Sequence, residues 1–98
     1  MDLLQVYRLY RRMQQYPYLI GLMRSLFLDV LEQRGLMTRE RLHDRAREEM
    51  QKDGIPDTES NHQEYVEALI DIHVAQHLKP TDIENYINLA RKKDNAQP

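Results

Sequence analysis

Hydrophobic residues recur every three to four positions along most of the chain, which predicts a series of amphipathic helices. In the first stretch the apolar side chains on one side are Leu3, Val6, Tyr7, Tyr10 and Met13, and the basic side chains on the other are Arg8, Arg11 and Arg12. Tyr16 precedes Pro17. A residue before proline disfavours helical backbone, so we expect the first helix to end there.

The second stretch, residues 17–34, is the most apolar part of the chain. Its hydrophobic side chains are Tyr18, Leu19, Ile20, Leu22, Met23, Leu26, Phe27, Leu28, Val30 and Leu31. An apolar face this wide is typical of a helix at the centre of a bundle or in a subunit interface. Gly35 then stands where a left-handed C-terminal cap ends a helix. We therefore predict that the second helix is central.

Capping residues mark a third helix over residues 39–53. Thr38 is its predicted N-cap, and Gly54 follows its last turn. Its apolar stripe is thin and consists of Leu42, Ala46 and Met50. Charged residues occupy most other positions, so this helix should lie at the surface with one edge on the core.

Two more helices follow from similar signals. Ser60 can cap the fourth, with Gln63 completing a capping box, although Thr58 is an alternative cap. The fourth helix ends before a Lys-Pro pair, and its polar side, with Glu64, Glu67 and Asp71, is acidic. A second capping box precedes the last predicted helix, residues 82–92.

The overall pattern predicts an all-α protein. The chain has 98 residues, of which 41% are hydrophobic and 31% charged, and this balance is typical of one globular domain with solvated helix faces. No stretch alternates apolar and polar residues as a half-buried strand does. We predict a compact bundle of about five short helices over residues 1–93, with the second helix central and residues 94–98 as a frayed tail.

Composition narrows the class of protein further. The chain has no cysteine, which excludes disulfide bonds, thiolate zinc sites and cysteine nucleophiles. A net charge of −2 gives no overall attraction to nucleic acids or anionic membranes. The first apolar residues are soon interrupted by arginines, unlike a secretory signal, and residues 18–31 are too short and too charged to span a bilayer. We therefore expect a cytoplasmic protein without a membrane segment.

His73 and His77 lie one helical turn apart, a spacing at which two imidazoles can share a metal ion. A metalloprotease helix would need a glutamate where Val74 stands. A structural zinc ion would need two further ligands, for which the candidates by residue type are His43, His62, Asp71 and Glu84. The alternative is that His73 lies in the apolar face and bonds a backbone carbonyl, and we predict neither a metal nor another cofactor.

Catalytic chemistry is not indicated by any motif. Asp29 lies between Leu28 and Val30, so it is either a buried carboxylate with perturbed proton affinity or an edge residue paired with an arginine or tyrosine. No glycine-rich phosphate loop and no Ser or Thr nucleophile beside a histidine base is recognisable. We therefore predict no enzyme and no small-molecule substrate.

A DNA-binding role is the alternative function. Residues 30–50 form a helix, a Gly-Leu-Met-Thr connector and a second helix, which resembles a helix-turn-helix in outline. The third helix would then be the recognition helix, with Arg39, Arg41 and Arg45 near the groove. The acidic residues Glu40, Asp44, Glu48 and Glu49 on the same helix would repel phosphate. Nucleic acid is therefore the less favoured partner.

The favoured function is a protein-interaction or oligomerisation module, acting as a regulatory accessory protein or as the terminal module of a larger protein. The reason is the wide apolar face of the second helix, which exceeds what short neighbours can cover. A homodimer is the simplest partner. The predicted contact consists of Leu19, Ile20, Met23, Phe27 and Leu28, with a charged rim of Arg8, Arg11 and Arg12. Those arginines could instead pair with the acidic side of the fourth helix.

Overall fold

Four α-helices account for most of the described chain: α1 (Leu3–Arg12), α2 (Pro17–Gln33), α3 (Arg39–Asp53) and α4 (Glu59–His77). The structure, a computed structural model, describes residues 3–12, 17–79, 81–82, 84–85, 88 and 92, and for residues 3, 9, 12 and 17–19 it describes the backbone alone. Within these residues there is no strand, so the predicted all-α class is confirmed. The fifth predicted helix and the predicted tail lie largely or wholly outside the described residues.

The predicted helix ends around α3 are confirmed. Gly35 and Gly54 both have a φ of 68°, a left-handed conformation that glycine adopts without the steric cost of a Cβ. Behind Gly35 the Leu36 amide donates to the Leu31 carbonyl at 2.9 Å and closes the end of α2. The side chain of Thr38 caps α3 by accepting from the Arg41 amide at 3.2 Å.

The start of α4 differs from the favoured prediction. Thr58, rather than Ser60, is the N-cap, because its hydroxyl accepts from the Asn61 amide at 3.2 Å. The Asn61 side chain also donates to the Pro56 carbonyl at 3.0 Å, which holds the preceding loop against the first turn. Gln63 contacts Glu67 instead of completing a capping box. The path of the preceding loop therefore makes Thr58, the earlier of the two candidate residues, the N-cap of α4.

The bundle is organised around α4, which packs against α1, α2 and α3. Its core side presents Val66, Ile70, Val74 and Ala75, all buried. The short stripe of α3 is also buried as predicted, at Leu42, Ala46 and Met50. The predicted central position of α2 is not confirmed. A wide apolar face can lie against one neighbour, whereas a central helix needs apolar side chains on several sides, and α4 has them.

The apolar side of α1 is narrower than its sequence pattern indicates. Val6 and Tyr10 are buried, but Tyr7 is 46% exposed and Leu4 is 57% exposed. Leu3 and Met13, the other two predicted members, are not described beyond the Leu3 backbone. Thus, among its described side chains, α1 turns Val6 and Tyr10 toward the core and leaves an apolar and basic outer face.

Candidate functional site

The predicted contact residues on α2 lie mostly in the core of the chain itself. Met23 and Phe27 have no exposed surface, and Leu28 is 7% exposed. Ile20 is partly buried and packs against the same core, and the side chain of Leu19 is not described. A partner could reach Met23, Phe27 and Leu28 only if the bundle opened. Their apolar surface is covered by the other helices of the same chain.

The predicted charged rim does not join the acidic side of α4. Arg8 and Arg11 are exposed, and the side chain of Arg12 is not described. Within the described chain neither Arg8 nor Arg11 forms an ion pair; the arginine that reaches the acidic residues of α4 is Arg24 on α2. The two exposed arginines therefore share the outer face of α1 with Leu4 and Tyr7.

A buried polar cluster joins three helices around Asp71. The Arg24 guanidinium binds this carboxylate with two parallel hydrogen bonds, Nε to Oδ1 at 3.0 Å and Nη2 to Oδ2 at 2.8 Å. The Tyr10 hydroxyl donates to Oδ1 at 2.8 Å, and the guanidinium carbon lies 4.7 Å from the centre of the Tyr10 ring. Asp71 is 1% exposed and Arg24 keeps 20% of its side-chain surface, so the carboxylate is enclosed and the cluster acts as a clamp between α1, α2 and α4.

The pKa values of Tyr10 and Arg24 are both raised in this cluster. Burial, then the negative charge of Asp71 and the hydrogen bond to it, raise the pKa of Tyr10 far above its ordinary value. Burial on its own would lower the pKa of Arg24, but the hydrogen bond and charge of Asp71 outweigh it and raise that pKa. Tyr10 therefore remains a donor and Arg24 a cation at every ordinary pH.

Replacing Tyr10 with phenylalanine tests the clamp through pH. Near pH 8 we expect Tyr10→Phe to lower the free energy of unfolding by about 1–2 kcal/mol, since a hydrogen bond to a charged group is lost. Above pH 10.0, the ordinary pKa of tyrosine, Tyr10 ionises in the unfolded chain but keeps its proton in the folded one. The unfolded state then binds fewer protons, and wild-type stability falls as the pH rises.

The stability gap between wild type and Tyr10→Phe should therefore narrow above pH 10.0, as measured by urea denaturation at a series of pH values. Tyr65, whose pKa is raised by its hydrogen bond to Asp53, is present in both proteins and cancels from the difference. A gap that stays constant from pH 8 to pH 11 would contradict the buried position of this hydroxyl.

Two histidines that the sequence left as separate metal-ligand candidates are in contact with each other. His43 Nδ1 and His62 Nε2 lie 2.7 Å apart. The ring centroids are 4.9 Å apart and the planes differ by 14°. That separation requires both nitrogens to lie close to the line between the centroids, so the rings meet edge to edge rather than face to face. The pair joins α3 to α4 by an imidazole–imidazole hydrogen bond.

The surroundings of this pair indicate which ring donates. His62 Nδ1 is buried and has no hydrogen-bond partner among the described atoms. If His62 donates from Nε2, its Nδ1 carries a lone pair; if His43 donates, that buried Nδ1 must carry an unsatisfied N–H, which is the more costly arrangement. We therefore assign His62 as the donor. The described His, Asp and Glu side chains form no group of three that could hold a metal ion.

The other two singled-out groups have structural partners. His73 Nδ1 lies 2.8 Å from the Leu69 carbonyl, which can only accept, so the predicted bond to a backbone carbonyl is confirmed. The rings of His73 and His77 have centroids 6.0 Å apart. Asp29 is exposed and pairs with Arg39 at 2.9 Å, as expected for an edge residue rather than a buried carboxylate.

An open groove of about 860 Å³ runs between α3 and α4. One side of α4 supplies Tyr65, Ala68, Leu69, Ile72, His73 and Gln76; the connector and α3 supply Met37, Arg41, Asp44, Arg45, Glu48 and Glu49. This side of α4 differs from the one that enters the core. Its apolar members are half-buried or exposed, and Tyr65 and Leu69 also pack against the core, so α4 carries a second apolar strip that the described chain covers only in part.

The charged wall of the groove is only partly neutralised within the chain. Arg45 pairs with Glu49 at 3.2 Å, and Asp44 lies 3.6 Å from Arg47. Arg41 and Glu48 take part in no ion pair with other described residues. An apolar floor beside charges of both signs has the composition of a protein contact surface, with an apolar centre and a polar rim.

Comparisons with protein-family models, curated proteins and solved structures found no match for this chain. Of the described helices, none combines the length and the apolar character needed to cross a lipid bilayer. The clamp around Asp71 is buried and the groove between α3 and α4 is open, so the groove is the candidate functional site.

Proposed function

We propose that this chain is a protein-interaction module whose contact surface is the groove between α3 and α4. The observation that carries the proposal is the second apolar strip of α4, in which Leu69 and Ile72 remain partly exposed beside a charged wall. Apolar surface held open in this way gains free energy when a partner covers it. This surface differs from the one expected on α2, because most of the described apolar side chains of α2 pack in the core.

The charge distribution favours a protein partner over DNA. Of the arginines expected in a recognition helix, Arg39 is engaged by Asp29 and Glu32, and Arg45 is engaged by Glu49. Arg41 alone among those three is free of ion pairs within the described chain. One free arginine with Glu48 on the same helix face offers little attraction to a phosphate backbone. We also propose, on the basis of the sequence only, that the protein is cytoplasmic and acts as a regulatory accessory protein or as the terminal module of a larger protein.

Site-specific photo-crosslinking tests the groove as a contact surface. A benzoyl-phenylalanine introduced at Ala68, which lies exposed in the groove, should yield one discrete covalent adduct with a protein in cells of the source organism. Mass spectrometry would identify the attached peptide, whether it comes from another protein or from this chain. Adding Ile72→Asp should abolish the adduct, since a charge on the apolar floor opposes burial.

Ser25 provides the matched control position, because it is exposed on α2 and is not among the residues of the groove. The same crosslinker at Ser25 should give no discrete adduct. If Ala68 and Ser25 gave equal yields, or if Ile72→Asp left the Ala68 product unchanged, the groove would not be the interaction surface.

A further inference from the structure

We propose that the partner that covers the groove is a second copy of this chain, related by a two-fold axis that brings the two α3 helices together antiparallel. This inference rests on the function proposed above for the same groove and names its occupant. A two-fold contact uses the same patch on both copies, so the patch must be complementary to itself.

The groove-facing side of α3 has that property. Four of the five charged residues that α3 contributes to the groove are exposed, and their charges alternate in sign along the helix: Arg41, Asp44, Arg45 and Glu48. The fifth, Glu49, is half-buried and pairs with Arg45 and Lys52 of its own chain. The sequence of signs is reversed when it is read from the other end. An antiparallel copy therefore places Arg41 opposite the partner's Glu48 and Asp44 opposite the partner's Arg45. Both of these opposed pairs join opposite charges, whereas a parallel copy would oppose like charges.

The ion pairs within one chain indicate which of these four residues have a charge that the chain itself does not neutralise. Asp44 and Arg45 already have Arg47 and Glu49 as neighbours in their own chain. Arg41 and Glu48 have no ion pair among the described residues, and they stand two turns apart on one face, at the two ends of the charge pattern. The contact would neutralise both ends at once, because the two-fold axis makes each pairing occur twice.

The apolar part of the groove supports the same arrangement. The patch that includes the wall of α3 also includes Leu69 and Ile72 of α4. A symmetric contact through this patch brings the apolar floors of both copies into one buried centre, with the α3 charges at its edge. This is the usual distribution of apolar and charged residues in a specific protein interface.

Charge exchange between Arg41 and Glu48 provides the test, with the dissociation constant of the full chain measured by sedimentation equilibrium. Arg41→Glu and Glu48→Arg should each weaken self-association about ten- to hundredfold, since two attractive pairs become two repulsive ones. The double variant Arg41→Glu/Glu48→Arg should recover most of the wild-type affinity. An equimolar mixture of the two single variants should form a heterodimer.

Arg47→Glu serves as the control, because Arg47 is exposed on the same helix but is not among the groove residues, and it should change the constant less than about threefold. A wild-type chain that stays monomeric at high micromolar concentration, a double variant no better than the singles, or an equal effect of Arg47→Glu would overturn the proposal. If the wild type is monomeric while Ala68 still crosslinks to a different protein, the second-copy proposal fails and the interaction function stands.

Discussion

Asp71→Ala is expected to lower the free energy of unfolding by about 3–5 kcal/mol, the typical cost of removing one member of a buried ion pair. The carboxylate is 1% exposed and accepts hydrogen bonds from Arg24 and Tyr10. Without it, the buried phenol loses its acceptor, and the guanidinium keeps only the contact of its Nη1 with Glu67 at 3.4 Å. A loss of this size is a large part of the total stability of a small domain, which is about 5–15 kcal/mol.

The measurement is urea denaturation followed by circular dichroism, with Asp29→Ala as the matched control. Asp29 also pairs with an arginine, Arg39, but both side chains are about half exposed, so this change should cost less than about 1 kcal/mol. A second variant keeps the test informative if Asp71→Ala fails to fold. Replacing both charges, in Arg24→Met/Asp71→Leu, should recover much of the loss, because apolar residues can fill a buried ion-pair site. Equal effects of Asp71→Ala and Asp29→Ala would contradict the clamp.

Phe27→Ala is expected to cost about 3–5 kcal/mol in stability, because it removes a fully buried aromatic ring from the core and leaves a cavity. This result separates two roles for the same residue. If Phe27 belonged to a surface covered by a partner, its truncation would weaken association and leave the monomer intact. If it belongs to the core, the loss appears in the unfolding free energy of the chain whatever its concentration.

Leu4→Ala is the control for Phe27→Ala, since Leu4 is an apolar residue at an exposed helical position and should change stability by no more than about 0.5 kcal/mol. Phe27→Leu, which removes less volume, should keep the fold with a smaller loss and serves where the alanine variant is unfolded. Unfolding curves of Phe27→Ala that matched the wild type would mean that this ring is not in the core.

Local features of the fold followed from the sequence. The ends of α2 and α3 depend on Gly35, Thr38 and Gly54, whose preferences act over one turn of backbone and need no knowledge of the rest of the chain. The buried stripe of α3 also followed, because three apolar residues in a highly charged helix leave one possible core face. The choice between Thr58 and Ser60 did not follow, because it depends on how the preceding loop approaches the helix.

The long-range features did not follow from periodicity. Arg24 and Asp71 are 47 positions apart. The sequence pattern placed Asp71 on the acidic, solvent-facing side of the fourth helix, and that prediction was wrong, because Asp71 is 1% exposed. One signal in the sequence was available. Each of two apolar helices carries a charged residue among its apolar residues, the two charges are opposite, and this pattern is expected of a buried ion pair. The width of the apolar face of α2 also did not predict a partner surface. Counting side chains does not measure how much area the neighbouring helices cover.

The hydrogen bond of the Tyr10 hydroxyl ties α1 to the buried carboxylate of Asp71 on α4. A ten-residue helix is too short to persist alone in water, and α1 buries Val6 and Tyr10 while Leu4 and Tyr7 stay exposed. Any local opening that releases the N-terminal helix must therefore break this hydrogen bond, so the Tyr10 hydroxyl acts as a latch on α1.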